Sequence, residues 1–199
     1  MLSLLLAMAT ASAFPYQSLT TAGCVTPDWP REALRYEIEG TTTLQFQISI
    51  DGTVQQAQVS QGSGWTILDQ AAMRGLARCR FKPGLPDARA GTWFPIQYAW
   101  TLEGPAPLRP VLLQGSCRAS PRIAGYANLD QRPDARAGVK LRFLVAADGA
   151  PRNIVPEAGN FGPQVVRDAV DYLAGCRFGI SPGASGERTD TSYGRVLLR

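Results

Sequence analysis

Few residues in this chain could do chemistry. Cysteines stand at 24, 79, 117 and 176, and histidine is absent. Without histidine there is no Ser-His-Asp triad, no Cys-His nucleophile pair and no histidine metal site. No Cys-x-x-Cys occurs, so zinc and redox-motif readings are poor. The remaining enzymatic reading is a hydrolase using carboxylates such as Asp69 or Asp168. Asp69 falls in the first turn of a helical pattern, where the helix dipole favours a carboxylate with no catalytic duty. The expectation is a protein that is not an enzyme, with no catalytic residue, no cofactor and no metal.

The cysteine spacings, 55 residues from Cys24 to Cys79 and 59 from Cys117 to Cys176, are nearly equal. A shift of 97 residues superposes the two halves. Leu44 falls on Leu141, Phe46 on Phe143, Asp51-Gly52 on Asp148-Gly149, Ala72 on Ala169, Leu76-Ala77 on Leu173-Ala174, and Cys79-Arg80-Phe81 on Cys176-Arg177-Phe178. That register predicts a duplicated unit. Each cysteine near a helix end can face the one near its own unit's start, so Cys24–Cys79 and Cys117–Cys176 are the expected disulfides.

The elements that position these residues repeat as well. Leu44, Phe46, Ile48 and Ile50 alternate with Thr43, Gln45, Gln47 and Ser49, which predicts a strand with one buried and one wet face. Asp51-Gly52 supplies a tight hairpin turn, and a second strand follows over about Val54 to Ser60. Thr66 can cap a helix whose apolar stripe is Ile67, Leu68, Ala71, Ala72, Leu76 and Cys79. In the second half Val139, Leu141, Phe143, Val145 and Ala147 alternate before Asp148-Gly149. A helix opening at Pro163, a favoured first-turn residue, then carries Val165, Val166, Ala169, Val170, Leu173 and Cys176. Strands over Thr92 to Leu102 and about Thr191 to Leu198 close the units. The predicted fold is α+β: two tandem small domains, each a three-stranded antiparallel sheet (β-β-α-β) packed on one helix. The boundaries expected are 1–13, 14–103 and 111–199, with the Pro-rich connector 104–110 between the domains.

Composition agrees with packed domains. Of 199 residues 45% are hydrophobic and 18% charged, too apolar for a disordered chain. The net charge of +4 comes from scattered single residues, mostly Arg, so no nucleic-acid partner is implied. Residues 2–13 form a short apolar run closed by Ala11-Ser12-Ala13, the pattern of a signal peptide cleaved near Phe14. The run is too short for an integral membrane span, which needs about 20 apolar residues. Export to the periplasm of a Gram-negative-type envelope is expected, a compartment in which disulfides persist.

These residues resemble the carboxy-terminal domain of the TonB energy-transducer family. The resemblance is carried over 24–103 by Pro27-Asp28-Trp29-Pro30-Arg31-Glu32-Ala33, an aromatic-Pro opening before a short helix. Glu39-Gly40-Thr41-Thr42-Thr43-Leu44 resembles the entry to the first strand, and Ile50-Asp51-Gly52-Thr53-Val54 the hairpin. Leu76-Ala77-Arg78-Cys79-Arg80-Phe81-Lys82-Pro83-Gly84 resembles the helix exit, and Phe94-Pro95-Ile96-Gln97-Tyr98 the last strand. Within 117–199 the resemblance is weak, since the aromatic-Pro opening and the Lys-Pro-Gly exit are missing. It implies Trp29, Pro30, Gly40, Asp51 and Gly52 as family positions, and a periplasmic domain that grips an extended segment of an outer-membrane transporter by strand addition.

The residues expected at that edge are Thr92, Trp93, Phe94, Pro95, Ile96, Gln97 and Tyr98. Pro95 cannot donate to a ladder and so belongs at an edge. Packing against the helix is the competing duty for Phe94, Ile96, Tyr98 and Trp100. Full energy transducers resemble one another in an uncleaved spanning helix with a histidine and a long Pro-rich spacer; with none of these expected before the first unit, a binding module is the better expectation. The partner expected is a protein, through an extended peptide segment of an envelope or outer-membrane protein. The alternative is a structural or assembly component of the envelope, or a homodimer pairing its own edge strands, with no transport role.

Overall fold

The computed structural model describes residues 23–24, 26–84, 91–128, 138–157 and 159–199. The expected signal peptide 1–13 and its cleavage point near Phe14 lie outside the described residues. The elements run α1 (Arg31–Arg35), β1 (Gly40–Ile48), β2 (Val54–Gln61), α2 (Thr66–Ala77), β3 (Phe94–Trp100), β4 (Val111–Leu112), β5 (Ile123–Asn128), β6 (Gly138–Val145), β7 (Pro151–Pro156), α3 (Pro163–Ala174), β8 (Phe178–Gly179) and β9 (Thr191–Leu198). Three antiparallel sheets result, ordered β2-β1-β3, β4-β8 and β5-β9-β6-β7.

Alternation in β1 buries Thr42, Leu44, Phe46 and Ile48 on one face. The α2 stripe of Leu68, Ala71, Ala72 and Leu76 belongs to the same core, with Ala33, Tyr36 and Ile38 from α1 and the turn after it. Phe46 stands between Phe81 and Phe94, ring centroids 5.4 and 6.0 Å away. A second core gathers Val139, Leu141 and Phe143 of β6, Ala169 and Leu173 of α3, Phe178 and Val196.

Local geometry recurs between the halves. Gly52 and Gly149 both take left-handed backbone, at φ 84° and 78°. A Cβ at either would run into a carbonyl oxygen, that of Phe81 or Phe178, which explains glycine at both turns. The Phe81 amide donates to the Gly52 carbonyl at 2.8 Å, and the Phe178 amide to the Gly149 carbonyl at 2.9 Å. Gln56 and Asn153 share a left-handed φ of 50° and 49°. Each sits where the register of β2 or β7 slips by one residue against its neighbour, as in a β-bulge. Neither bulge has a sequence signal, because neither residue is glycine.

Several expectations are corrected. The second sheet has four strands, not three, because β5 adds along β9; Ile-Ala-Gly-Tyr-Ala-Asn lacks the alternation that would announce a strand. The strand expected over Thr92–Leu102 is shorter at both ends. Thr66 is the first helical residue rather than the cap, and its amide donates to Glu157 Oε2 at 3.2 Å. In β9 the 97-residue register slips to 98: Leu44 pairs with Ile96, whereas Leu141 pairs with Gly194.

The connector 104–110 is held to the C-terminal half by backbone hydrogen bonds. The Leu108 amide donates to the Glu187 carbonyl and the Thr189 amide to the Leu108 carbonyl. Arg109 pairs with Glu37 at 3.1 Å and lies over the Tyr193 ring at 4.7 Å. The face of β6 and β9 turned away from α3 is covered by the N-terminal half, with Leu144, Val155 and Tyr193 packing on its core. For this reason β6 is buried on both faces.

Candidate functional site

The sheet β2-β1-β3 has two outer edges, and they differ. The β1–β2 ladder is irregular at two places, between Thr43 and Leu44 and between Gln45 and Gln47. Bulges of this kind bend an edge away from further pairing. By contrast, the β1–β3 ladder runs unbroken from Gly40↔Trp100 to Phe46↔Phe94. Among the described residues β3 has β1 as its one strand neighbour.

Each residue expected at this edge has a defined place. Thr92 and Trp93 precede β3, and Trp93 is 41% exposed. Phe94 and Trp100 are buried in the core, with Ile96 and Tyr98 packed against it. Those four are core residues first, as one face of a strand over α2 must be. Pro95 pairs with Gln45 near one end of the strand. Gln97 is exposed and donates to Thr43 Oγ at 3.2 Å. The loop entering β3 is held by Gln47, which donates to the Gly91 carbonyl at 2.7 Å.

The aromatic-Pro segment lies against the core and does not extend the sheet. Pro27 is buried on Gly75 of α2, where a Cβ would collide with the proline ring. Trp29 meets Trp100 edge-on, centroids 5.9 Å apart. Burial raises the Tyr98 phenol, and neither its hydroxyl nor the Trp29 and Trp100 indole nitrogens has a partner among the described residues. Cys24 is placed at bonding distance from Cys79 and Cys117 from Cys176, with Cα atoms 4.3 and 4.1 Å apart. The first pair ties this segment to the end of α2.

The carboxylates weighed as catalytic have structural partners. Asp69 Oδ1 accepts from the Thr42 hydroxyl and the Ser63 amide, both at 2.8 Å. Asp168 accepts from Gln164 at 2.7 Å and Arg122 at 2.8 Å, and these donors, Gln164 first, hold it below the usual carboxylate range. No group of three or more potential metal ligands occurs among the described residues. Nor is any described helix long and apolar enough to cross a membrane.

Sequence reasoning missed the charged seam between the halves. Arg142 pairs with Glu157 and, at 2.7 Å, with Glu32 of α1. Lys140 Nζ lies 3.2 Å from the Trp65 ring centroid and donates to the Gly64 carbonyl. The Tyr36 hydroxyl donates to the Asn153 carbonyl at 2.8 Å. Lys140 and Arg142 fall between the alternating apolar positions of β6, the parity of a solvated face, and no signal in the sequence says what covers them.

The fold is α+β, with β3 at one end of the three-stranded sheet β2-β1-β3. Residues 25–101 match the family model for the Gram-negative bacterial TonB protein C-terminal. Protein tonB2 of Pseudomonas aeruginosa is 37% identical over 57 residues, which are 29% of this chain and 21% of that protein. The chain therefore spans about a fifth of the length of that relative. Residues 25–101 are thus similar to a TonB carboxy-terminal domain.

Proposed function

We propose that this protein is a periplasmic binding module in which β3 captures an extended segment of an envelope protein, an outer-membrane transporter being one candidate. The observation that carries this reading is the contrast between edges: β2 is twice bulged, and β3 is unbroken with one neighbour. A segment laid along β3 would satisfy its outer backbone groups, and Trp93 would offer that segment an exposed aromatic surface. The match to a TonB carboxy-terminal model supports a role in protein interaction at the envelope. We also infer that the two halves are copies of one unit, each stapled by its own disulfide, on the strength of the recurring turns and bulges.

The test is photo-crosslinking in the periplasm from a benzophenone side chain at Gln97 on β3 or Gln58 on β2, both exposed. Capture of an outer-membrane protein from Gln97 and not from Gln58 is the expected result. Equal capture from both, or from neither, removes the β3 reading. Capture of a second copy of this chain from Gln97 would replace it with a homodimer, which light scattering would then register as a concentration-dependent mass.

A further inference from the structure

In the C-terminal half the strand corresponding to β3 is β9. Both close their unit, and both pair antiparallel with its first strand: Ile96 with Leu44 in one, Gly194 with Leu141 in the other. Leu44 and Leu141 are each fully buried. The two edges differ in one respect: along the side of β9 away from β6 lies β5, paired antiparallel from Ile123↔Leu198 to Asn128↔Gly194. We propose that β5 is a built-in occupant of the second unit's receiving edge, so that each chain takes up one partner segment, at β3.

The side chains show how β5 is held there. In the N-terminal half Ile96 fills its place against the core. Its counterpart is Gly194, and a Cβ there would collide with the Tyr126 hydroxyl and the Ala127 carbonyl of β5. Space that a side chain of the closing strand fills in one unit is given over to β5 in the other. The Tyr126 ring uses it to meet Phe178 and Phe143 edge-on, at 5.3 and 6.1 Å. An incoming segment would therefore have to displace an aromatic anchor as well as a ladder of backbone hydrogen bonds. At β3 the matching position holds the Ile96 side chain, packed on the core, so a segment added there would bind through backbone groups and the exposed surface near Trp93.

This inference rests on β3 being the receiving edge, yet its test does not depend on any partner. Amide hydrogen exchange on the full oxidised chain should show residues 123–128 and 194–198 protected by ~100-fold or more over unstructured rates. In the same experiment the outward amides of β3 should exchange faster than those of β9. Exchange of 123–128 at unstructured rates would overturn the proposal. Gly194→Ile, which gives β9 the side chain that β3 has, should release β5 and lose that protection while β6 and α3 keep theirs. Retained protection of 123–128 in that variant would also overturn it. Failure of cross-linking at Gln97 would remove the function proposed for β3 and leave the occupancy of β9 to be decided by exchange alone.

Discussion

Arg142 of β6 and Glu157, just beyond β7, form an ion pair with side chains only 7% and 5% exposed. Arg142 also reaches Glu32 of α1, and Glu157 receives the first amide of α2. The pair therefore ties the second sheet to both helices of the N-terminal half. Removing one partner of a buried pair leaves an uncompensated charge, which costs about 3–5 kcal/mol. Glu157→Leu leaves Arg142 with the half-exposed Glu32 as its remaining partner and should therefore lower unfolding stability by less than that amount in a urea titration. Because replacing both partners by apolar residues of similar size is often neutral, Arg142→Met with Glu157→Leu should recover most of the loss. A double variant as unstable as the single one would show that the pair's hydrogen bonds, and not the stranded charge, set the cost.

Asp69 is predicted to be structural. Its Oδ1 serves the Thr42 hydroxyl, on a fully buried residue, and the Ser63 amide before α2. Asp69→Ala strands both donors and should cost about 1–3 kcal/mol, measured by thermal or urea unfolding. Asp69→Asn keeps an acceptor oxygen and should cost less. An Asn variant as unstable as the Ala variant would mean that the charge matters more than the acceptor.

Much of this architecture was legible because it depends on local rules. Period-two alternation gave β1 and β6, the Asp-Gly pairs gave the hairpins, and Pro163 marked the start of α3. The edge position of β3 followed from Pro95 and from the family resemblance. What stayed hidden depends on the other half of the chain. Lys140 and Arg142 have the parity of a solvated face, and only the packing of α1 and Trp65 against them makes them a seam. Strand β5 is illegible because its pairing depends on Gly194, 66 residues or more further along the chain. The bulges at Gln56 and Asn153 were hidden because their left-handed backbone is imposed by the ladder and not by glycine.

Reduction should weaken the fold more than removal of a surface contact. The sulfur pairs close loops with sequence separations of 55 and 59 residues, for which loop entropy assigns about 4 kcal/mol each. Cys24–Cys79 also holds the segment that places Pro27 on Gly75. Treatment with dithiothreitol should lower the midpoint of thermal unfolding clearly, and mass mapping of the oxidised chain should recover Cys24–Cys79 and Cys117–Cys176 peptides. Four free thiols in exported protein, or a bridge between halves, would contradict this pairing.

Lys140 should make stability depend on pH in the alkaline direction. Burial lowers it first and the neighbouring Arg195 next, with Arg142 adding to them against the pull of Asp69, so that it falls to about 7. The Trp65 ring face, which attracts a cation, also works against that fall. An unfolded lysine keeps its proton to about 10.4. Between those values the unfolded chain binds more protons, and stability therefore rises as pH goes from about 7 towards 10. Below 7 both states are protonated, and the penalty for burying the charge is constant. Lys82 is the only other lysine, so reductive methylation with carbon-13 gives a short list of signals to follow by NMR. One should titrate with a midpoint near 7 and vanish in Lys140→Met, a variant whose stability should rise less steeply over the same range. A Lys140 signal that stays protonated to pH 10 would mean that the Trp65 face outweighs burial and the two arginines.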